Sequence, residues 1–180
     1  MSHHGGVPQS GTSAVVVPVP EAEPVVAGWR ARCDPSAALG MPAHVTALFP
    51  FLDEALLTAD VTGRLAAVCA RLPVLDVELA RFGRFPEVLY LDPEPPHGLR
   101  RLTLAIVEEW PEAPPYGGVF DSVIPHLTIA DGADAETEAR IEQEVGRALP
   151  VRARLPHAVL YLFDGPAGSR GPACRSGRRW

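Results

Sequence analysis

Two histidine and threonine pairs with identical spacing are the residues of this sequence best suited to acid–base chemistry. His44 precedes Thr46 by two positions, and His126 precedes Thr128 in the same way. Imidazole titrates near neutral pH, so one ring can accept a proton while another donates one. Six histidines and seven threonines in 180 residues would produce roughly 0.2 such pairs by chance. A single strand-edge histidine is commonly structural, but the duplication favours a chemical role.

Both pairs lie in short segments with the alternating pattern of a β-strand, residues 44–49 and 126–130. Residues two apart on a strand point to the same face, so each histidine projects beside its threonine while Val45 and Leu127 point into the core. If the two strands face each other across a cleft, the arrangement suits a phosphodiester. One imidazole serves the entering oxygen, the other serves the departing oxygen, and the hydroxyls bind the non-bridging oxygens.

The elements that must position these pairs repeat along the chain. Each half of the sequence, at about residues 14–85 and 86–164, predicts the order strand, helix, strand, helix, strand. Residues 1–13 are predicted to be a disordered N-terminus and residues 165–180 a flexible basic tail. Residues 14–164 are therefore predicted to form one domain of two pseudo-symmetric halves. The strands or extended segments are predicted at 14–19, 44–49, 74–85, 87–91, 126–130 and 151–163, and the helices around 22–29, 61–72, 99–110 and 141–149.

Composition restricts the classes of protein to which this chain can belong. With 47% apolar and 21% charged residues, it is an ordinary globular chain rather than a disordered one. The net charge of −6 argues against a protein that binds duplex DNA by neutralising many phosphates. Since no apolar run approaches the roughly 20 residues of a membrane span, we expect no membrane association and a cytoplasmic location. We also expect a monomer.

The cysteines and the neighbours of the two histidines give no indication of a metal. Cys33, Cys69 and Cys174 are an odd number with no Cys-x-x-Cys spacing, so free thiols are expected rather than disulfides or a zinc site. The two strands supply no carboxylates beside the histidines to complete a ligand set. A metal-dependent hydrolase is therefore the less favoured hypothesis, and no cofactor is expected.

The doubled His-x-Thr motif, 82 residues apart, resembles the 2H phosphoesterase superfamily and, within it, the 2′-5′ RNA ligase and cyclic phosphodiesterase branch. The resemblance covers roughly residues 13–163. It is supported by the opening segment 15–21, the Trp-Arg-Ala-Arg segment 29–32, the block 42–52, and the Pro-Pro-Tyr-Gly-Gly segment 114–118 ahead of the second motif.

The resemblance implies an α+β fold that is bilobal and duplicated, with two antiparallel sheets facing a central cleft and helices on the outside. It also implies metal-independent chemistry on 2′,3′-cyclic phosphates or 2′-5′ phosphodiesters. The residues that match the family's catalytic motifs are His44, Thr46, His126 and Thr128.

Basic residues are candidates for contacts with a phosphate. All 16 basic residues are arginines. Arg30 and Arg32 are two apart on a predicted helix, so at most one of them is expected to face the cleft and bind the substrate. Residues 165–180 have a net charge of +4, leaving −10 on residues 1–164. This tail lacks the aromatic-Arg-Phe-Pro-Leu strand that closes family members, so the last strand is missing or altered, and the tail is either flexible or an arm that attracts RNA.

Aromatic residues near the second motif are candidates for contacts with a base. Tyr116 and Phe120 flank the Gly-Gly segment before that motif, where an aromatic ring could stack on a nucleobase. Core packing suits Phe120 equally well. Arg84 and Phe85, at the end of a predicted strand, are further candidates, although such residues usually need no function.

Three functions are consistent with these observations. The first, which we favour, is a phosphodiesterase that hydrolyses 2′,3′-cyclic phosphate ends of nucleotides or RNA, or 2′-5′ phosphodiesters. The second is 2′-5′ RNA ligation, in which a ribose hydroxyl replaces water and the same residues serve the reverse reaction. The third is a specialised protein of this fold that binds a phosphoester without cleaving it. The expected partner is a nucleotide or RNA end with a cyclic phosphate or a 2′-5′ linkage.

Overall fold

The chain forms seven β-strands and five α-helices in the computed structural model, which describes residues 10–118 and 123–163. The ranges 1–9, 119–122 and 164–180 lie outside the described residues, and with them most of the predicted N-terminal and C-terminal tails. The strands are β1 (Ser13–Pro18), β2 (His44–Leu48), β3 (Leu75–Phe85), β4 (Val88–Glu94), β5 (Leu127–Asp131), β6 (Val151–Leu155) and β7 (Val159–Leu162).

The helices occur where apolar residues recur at helical spacing. Three of them begin at side-chain caps: the Asp34 carboxylate accepts from the Ser36 N–H, the Thr58 hydroxyl accepts from the Val61 N–H, and the Asp134 carboxylate accepts from the Thr137 N–H. The α-helices are α1 (Glu23–Cys33), the short α2 (Pro35–Ala38), α3 (Ala59–Ala70), α4 (His97–Glu109) and α5 (Ala135–Gly146).

The strands form two antiparallel sheets, which confirms the predicted α+β fold. The first sheet has the order β2-β1-β7, and the second has the order β5-β4-β3-β6. Strand β2 begins with His44, and strand β5 begins one residue after His126. Each is at the edge of its sheet, and the two strands contact each other. The two sheets therefore meet along the strands that contain the His-x-Thr motifs.

The sheets do not coincide with the two halves of the sequence. Strand β3 ends the first half but pairs with β4 and β6 in the second sheet. Strand β7 ends the second half but pairs with β1 in the first sheet. Each half of the sequence thus contributes its final strand to the sheet of the other half, and the described chain crosses between the sheets twice, from β2 to β3 and from β6 to β7.

Helices cross between the sheets in the same manner. Helix α1 follows β1 but packs against β5, and the Trp29 indole N–H donates to the Glu144 carboxylate of α5 at 3.0 Å. Helix α4 follows β4 but packs against β2, where the buried Thr103 hydroxyl donates to the Ala47 carbonyl at 2.7 Å. The buried side chains between the two sheets and these helices form one large apolar core, and a smaller cluster lies on the other face of the first sheet.

The strand boundaries differ from the sequence prediction at the hairpin that joins β3 to β4. The predicted strand 87–91 starts one residue later, because Glu87 has a φ of 67° and lies in the turn between Phe85 and Val88, which pair with each other. Strand β4 then continues to Glu94, although Pro93 and two acidic residues interrupt the apolar pattern. These last residues of β4 pair with β3 alone, and that pairing outweighs the local signal.

No helix among the described residues is both long enough and apolar enough to cross a membrane.

Candidate functional site

The first motif lies on the edge strand β2. His44 and Thr46 are half-buried, whereas Val45 and Ala47 are buried on the opposite face. This alternation follows from the two-residue period of a strand. Thr46 pairs with Val16 of β1, which belongs to a small apolar cluster on the same face of the first sheet as His44 and Thr46. The imidazole and the hydroxyl therefore project together from the face opposite helix α4.

The second motif has the same arrangement on the other edge strand. His126 lies one residue before β5, and Thr128 is within it; both are half-buried. Leu127 and Ile129 are completely buried on the opposite face. The predicted strand 126–130 is thus displaced by one residue, and His126 keeps the orientation expected from alternation.

The structure brings the two histidines into one site. Their strands contact each other, and His126 is close enough for its positive charge to lower the pKa of His44. Both histidines are half-buried residues, neither of them enclosed in the apolar core. The four residues His44, Thr46, His126 and Thr128 therefore line the junction between the two sheets.

Both imidazole rings are oriented by the same local hydrogen bond. Nδ1 of His44 is 2.7 Å from the Pro42 carbonyl oxygen, and Nδ1 of His126 is 2.8 Å from the Ile124 carbonyl oxygen. A carbonyl oxygen can only accept, so Nδ1 carries the proton in the neutral ring and Nε2 carries the lone pair. Each Nε2 is then the atom that can take up or release a proton in the site.

The charge state of His44 is shifted strongly toward neutral. The pKa of its imidazole is lowered from 6.5 to about 4, chiefly by burial and also by the positive charges of Arg30 and His126. The hydrogen bond to Pro42 and the negative charge of Asp34 oppose this shift. At neutral pH the ring is a free base whose Nε2 can accept a proton.

His126 has a different electrostatic neighbour. Burial also lowers the pKa of its imidazole below 6.5, but the hydrogen bond to Ile124 and the negative charge of Asp92 act in the opposite direction. The charge that acts on His126 is thus a carboxylate, whereas the stronger of the two neighbouring side-chain charges on His44 is a guanidinium. These charges taken alone favour a proton on His126 and disfavour one on His44.

The two threonine hydroxyls are available to a ligand. Within the described part of the chain, neither the Thr46 nor the Thr128 hydroxyl makes a hydrogen bond to the protein. A half-buried hydroxyl without a protein partner can donate to an acceptor that enters the site. An anion with several oxygens could satisfy both hydroxyls at once.

The two arginines predicted to bind substrate have different surroundings. Arg30 is 2% exposed, and its guanidinium is hydrogen-bonded to Asp34, Ser36 and the Met41 carbonyl. Arg32 is exposed, donates to the Gly28 carbonyl and lies 4.0 Å from the centre of the Trp29 ring. Of the two, Arg30 is the one close enough to His44 to affect its pKa. That either arginine binds the substrate stays a prediction.

The predicted base-stacking residues cannot be placed in the same detail. Tyr116 belongs to the single-turn helix Pro115–Gly118, and Phe120 lies outside the described residues. Their contact with a base stays a prediction.

Two aromatic rings lie beside His126. The Phe85 ring centre is 5.0 Å from the His126 ring, and the Tyr90 ring centre is 5.3 Å from it. Tyr90 lies over Gly83, where any Cβ would collide with its ring, so glycine is required there. The sequence made Phe85 a candidate but gave no signal for Tyr90 or Asp92, because the pairing of Tyr90 with Thr128 is seen only in the fold.

Other polar residues do not form a metal cluster in the part of the chain that the structure describes. There, no group of three or more histidine, cysteine, aspartate or glutamate side chains is arranged to hold a metal ion. Arg84, another weak candidate, pairs with Glu138 and Glu142 of helix α5.

Comparison with solved structures shows a shared fold. A crystal structure of E. coli LigT complexed with NADP⁺ matches with a TM-score of 0.56 and 20% identity, covering 96% of this chain and 98% of that chain. E. coli LigT complexed with 3′-AMP matches with the same values. E. coli LigT complexed with phosphate matches with a TM-score of 0.51 and 22% identity, over the same shares of the two chains. No curated protein sequence matches this chain.

The family model of the 2′-5′ RNA ligase superfamily matches residues 17–167, which include both His-x-Thr motifs and every strand after β1. The sequence resemblance and this match agree, and the chain belongs to the 2′-5′ RNA ligase superfamily.

Proposed function

We propose that this protein is a metal-independent phosphodiesterase that hydrolyses 2′,3′-cyclic phosphate ends of nucleotides or RNA, or 2′-5′ phosphodiesters. The observation that supports it most is the pair of His-x-Thr motifs on two edge strands in contact, each with Nε2 and a hydroxyl free of protein partners within the described residues. In-line displacement at phosphorus needs a base and an acid on opposite sides, and the two imidazoles supply both.

The different charges beside the two rings suggest their roles in hydrolysis. Arg30 disfavours a proton on His44, so Nε2 of His44 removes a proton from water as the water oxygen bonds to phosphorus. Asp92 favours a proton on His126, so Nε2–H of His126 donates to the ribose oxygen as its bond to phosphorus breaks. In the reverse direction, ligation, the two roles exchange.

Charge that develops on the phosphoryl oxygens needs donors that are already in place. The Thr46 and Thr128 hydroxyls lie on the same faces as the two imidazoles and can donate to the non-bridging oxygens. The proposed chemistry therefore assigns no step to a metal ion.

The ligands of structures with this fold are consistent with a phosphate-containing substrate. The E. coli LigT structures hold 3′-AMP, NADP⁺ or phosphate. At about 20% identity, the likeness is one of fold. The ligands support a nucleotide or RNA end as the substrate class, but they do not indicate which base is preferred.

The proposal is tested by incubating the protein with nucleoside 2′,3′-cyclic phosphates and with 2′-5′-linked dinucleotides, with and without EDTA, and identifying the products. We expect hydrolysis that persists in EDTA. Either His44→Gln or His126→Gln should lower kcat by about 10²-fold or more, and the double variant should fall little further because the two groups act in one step.

His97→Gln is the matched control, because His97 is exposed at the start of α4. Full activity in either single variant of the motif histidines would overturn the two-histidine mechanism. Activity that is lost in EDTA and restored by one metal would favour a metal-dependent hydrolase. Products joined through a new 2′-5′ linkage would favour ligation, and tight binding without turnover would favour the phosphoester-binding function.

A further inference from the structure

The buried Arg30–Asp34 ion pair behind His44 is not accounted for by the chemistry described above. Arg30 Nη2 is 2.8 Å from Asp34 Oδ2, and both side chains are about 95% buried or more. Removing two charges from water is expensive, and an apolar pair of similar size is often at least as stable. Stabilisation of the fold alone is therefore a poor explanation for this buried pair. Its contacts indicate a second role at the nearby site.

The contacts of this pair converge on the segment that leads into the first motif. The Arg30 guanidinium donates to the Met41 carbonyl at 3.2 Å and to the Ser36 hydroxyl at 3.0 Å. The Asp34 carboxylate accepts from the Ser36 N–H at 2.9 Å and caps the short helix α2. Since Met41 is three residues before His44, the ion pair is connected to the catalytic strand through its backbone.

The backbone between Met41 and His44 is held from several sides. The Met41 N–H donates to the Ser36 carbonyl at 3.1 Å, and the Ala43 N–H donates to the Glu23 carboxylate at the start of α1. The Ala43 carbonyl accepts from the Val19 N–H at 2.8 Å. The one carbonyl left in this segment, that of Pro42, accepts the hydrogen bond from His44 Nδ1. The orientation of the His44 ring thus depends on where this segment is held.

We propose that the Arg30–Asp34 ion pair positions His44 for catalysis, by holding the Met41 carbonyl and thereby the Pro42 carbonyl that orients the imidazole. Arg30 acts through the backbone and by its charge and does not need to touch the substrate. The catalytic part of this inference rests on the proposed function, but the orientation and protonation of His44 can be measured without any substrate.

The charge of Arg30 has an effect in the same direction as its hydrogen bonds. The charged groups that act on His44 are Arg30 from α1, Asp34 from the α1–α2 connection and His126 from β5. Arg30 lowers the pKa of His44 by more than Asp34 raises it. Loss of the pair should therefore raise this pKa, whereas the ring of His126, next to Asp92, should be unaffected.

Three variants separate the parts of this inference. Arg30→Gln removes the charge and most of the donors. Arg30→Lys keeps the charge but cannot reproduce a guanidinium that contacts three partners. Arg30→Met combined with Asp34→Asn removes both charges, leaves no unpaired buried ion and keeps an acceptor for the α2 cap. Arg152→Gln is the matched control, because Arg152 forms an exposed ion pair with Glu78 at the opposite edge of the second sheet.

The measurements are NMR titration of both histidines, hydrogen exchange of both Nδ1–H protons, and kcat and KM on a nucleoside 2′,3′-cyclic phosphate. In Arg30→Gln and in the double variant, we expect the pKa of His44 to rise and exchange of its Nδ1–H to accelerate about tenfold or more, while His126 keeps its wild-type values. The kcat should fall by about 10–10²-fold with KM changed less, as expected for misplacement of a reacting group. Arg30→Lys should lose kcat while the pKa of His44 stays low.

The same measurements can overturn the inference. If Arg30→Gln does not fold, the double variant, which leaves no unpaired charge, decides the question. Wild-type His44 exchange and pKa in a folded double variant would show that the pair does not position this ring. Equal changes at His44 and His126 would indicate general loosening instead. If the unmodified protein hydrolyses no cyclic phosphate, the proposed function fails, and the two NMR readouts still test the positioning role.

Discussion

At the scale of single residues, two identical motifs acquire different properties from their neighbours. His44 and His126 make the same hydrogen bond from Nδ1 to the carbonyl two residues earlier. Burial is the largest influence on both rings and lowers both pKa values; among the charges, Arg30 lowers the pKa of His44, whereas Asp92 raises that of His126. A histidine's use as base or acid depends on the relative stability of its two protonation states, and these two neighbours act on it in opposite directions.

The first prediction concerns the pH dependence of hydrolysis. His44 must be neutral to accept a proton, so kcat/KM should fall as pH decreases through about 4, the pKa of its imidazole. His126 must be protonated, and since burial lowers its pKa, kcat/KM should fall on the alkaline side from below pH 6.5. The measurement is kcat/KM as a function of pH at constant ionic strength, from below pH 4 to well above pH 6.5, so that both declines are covered. A rate that still increases above neutral pH would contradict the assignment of His126 as the acid.

At the scale of elements, each strand at the candidate site is supported by a helix that arrives from elsewhere in the chain. Strand β2 packs against α4, and β5 packs against α1. As an edge strand, β2 pairs on one side, with β1, and its Ala47 carbonyl accepts from Thr103 of α4. This hydrogen bond joins the helix to the strand between Thr46 and Leu48.

The second prediction follows from that hydrogen bond. Thr103→Val keeps the shape of the buried side chain but leaves the Ala47 carbonyl without its donor, and an unsatisfied buried acceptor costs about 1–3 kcal/mol. We expect a decrease of this size in the free energy of unfolding, measured by urea denaturation monitored by circular dichroism. Thr103→Ser, which keeps the hydroxyl, is the control and should lose less. A Thr103→Val variant as stable as the unmodified protein would show that the hydrogen bond does not stabilise the fold at this position.

At the scale of the whole molecule, the exchange of strands makes the two sheets depend on each other. The first sheet is completed by β7 from the end of the described chain, and the second contains β3 from before its midpoint. The contact between β2 and β5, and with it the site, therefore requires the chain to be folded from β1 to β7.

The third prediction is that neither half of the sequence folds alone. A fragment ending at Phe85 would contain β3 without β4 and β6, and β1 without β7. Unpaired strands leave backbone donors and acceptors exposed and favour aggregation. We expect such a fragment to show no dispersed amide spectrum by NMR, in contrast to the intact protein. A dispersed spectrum and a cooperative thermal transition from the fragment would demonstrate that the halves are independent units.

The sequence by itself determined the local part of this protein. The two-residue period places each histidine beside its threonine, and helical spacing locates the four longer helices to within a few residues. These features depend on residues that are near each other in the chain, so a pattern in the sequence is enough to predict them. The fold class and the family could also be predicted, but the number of strands could not: the predicted extended stretch 151–163 forms two strands, β6 and β7, in different sheets.

The tertiary structure alone decided which distant segments become neighbours. The contact of β2 with β5, the exchange of β3 and β7, and the aromatic rings of Phe85 and Tyr90 beside His126 all depend on strand pairing. The burial of Arg30 depends on the path of residues 34–41, which no periodic pattern encodes. Local patterns specify which face of an element is apolar, but pairing and packing energies between distant elements decide what that face meets.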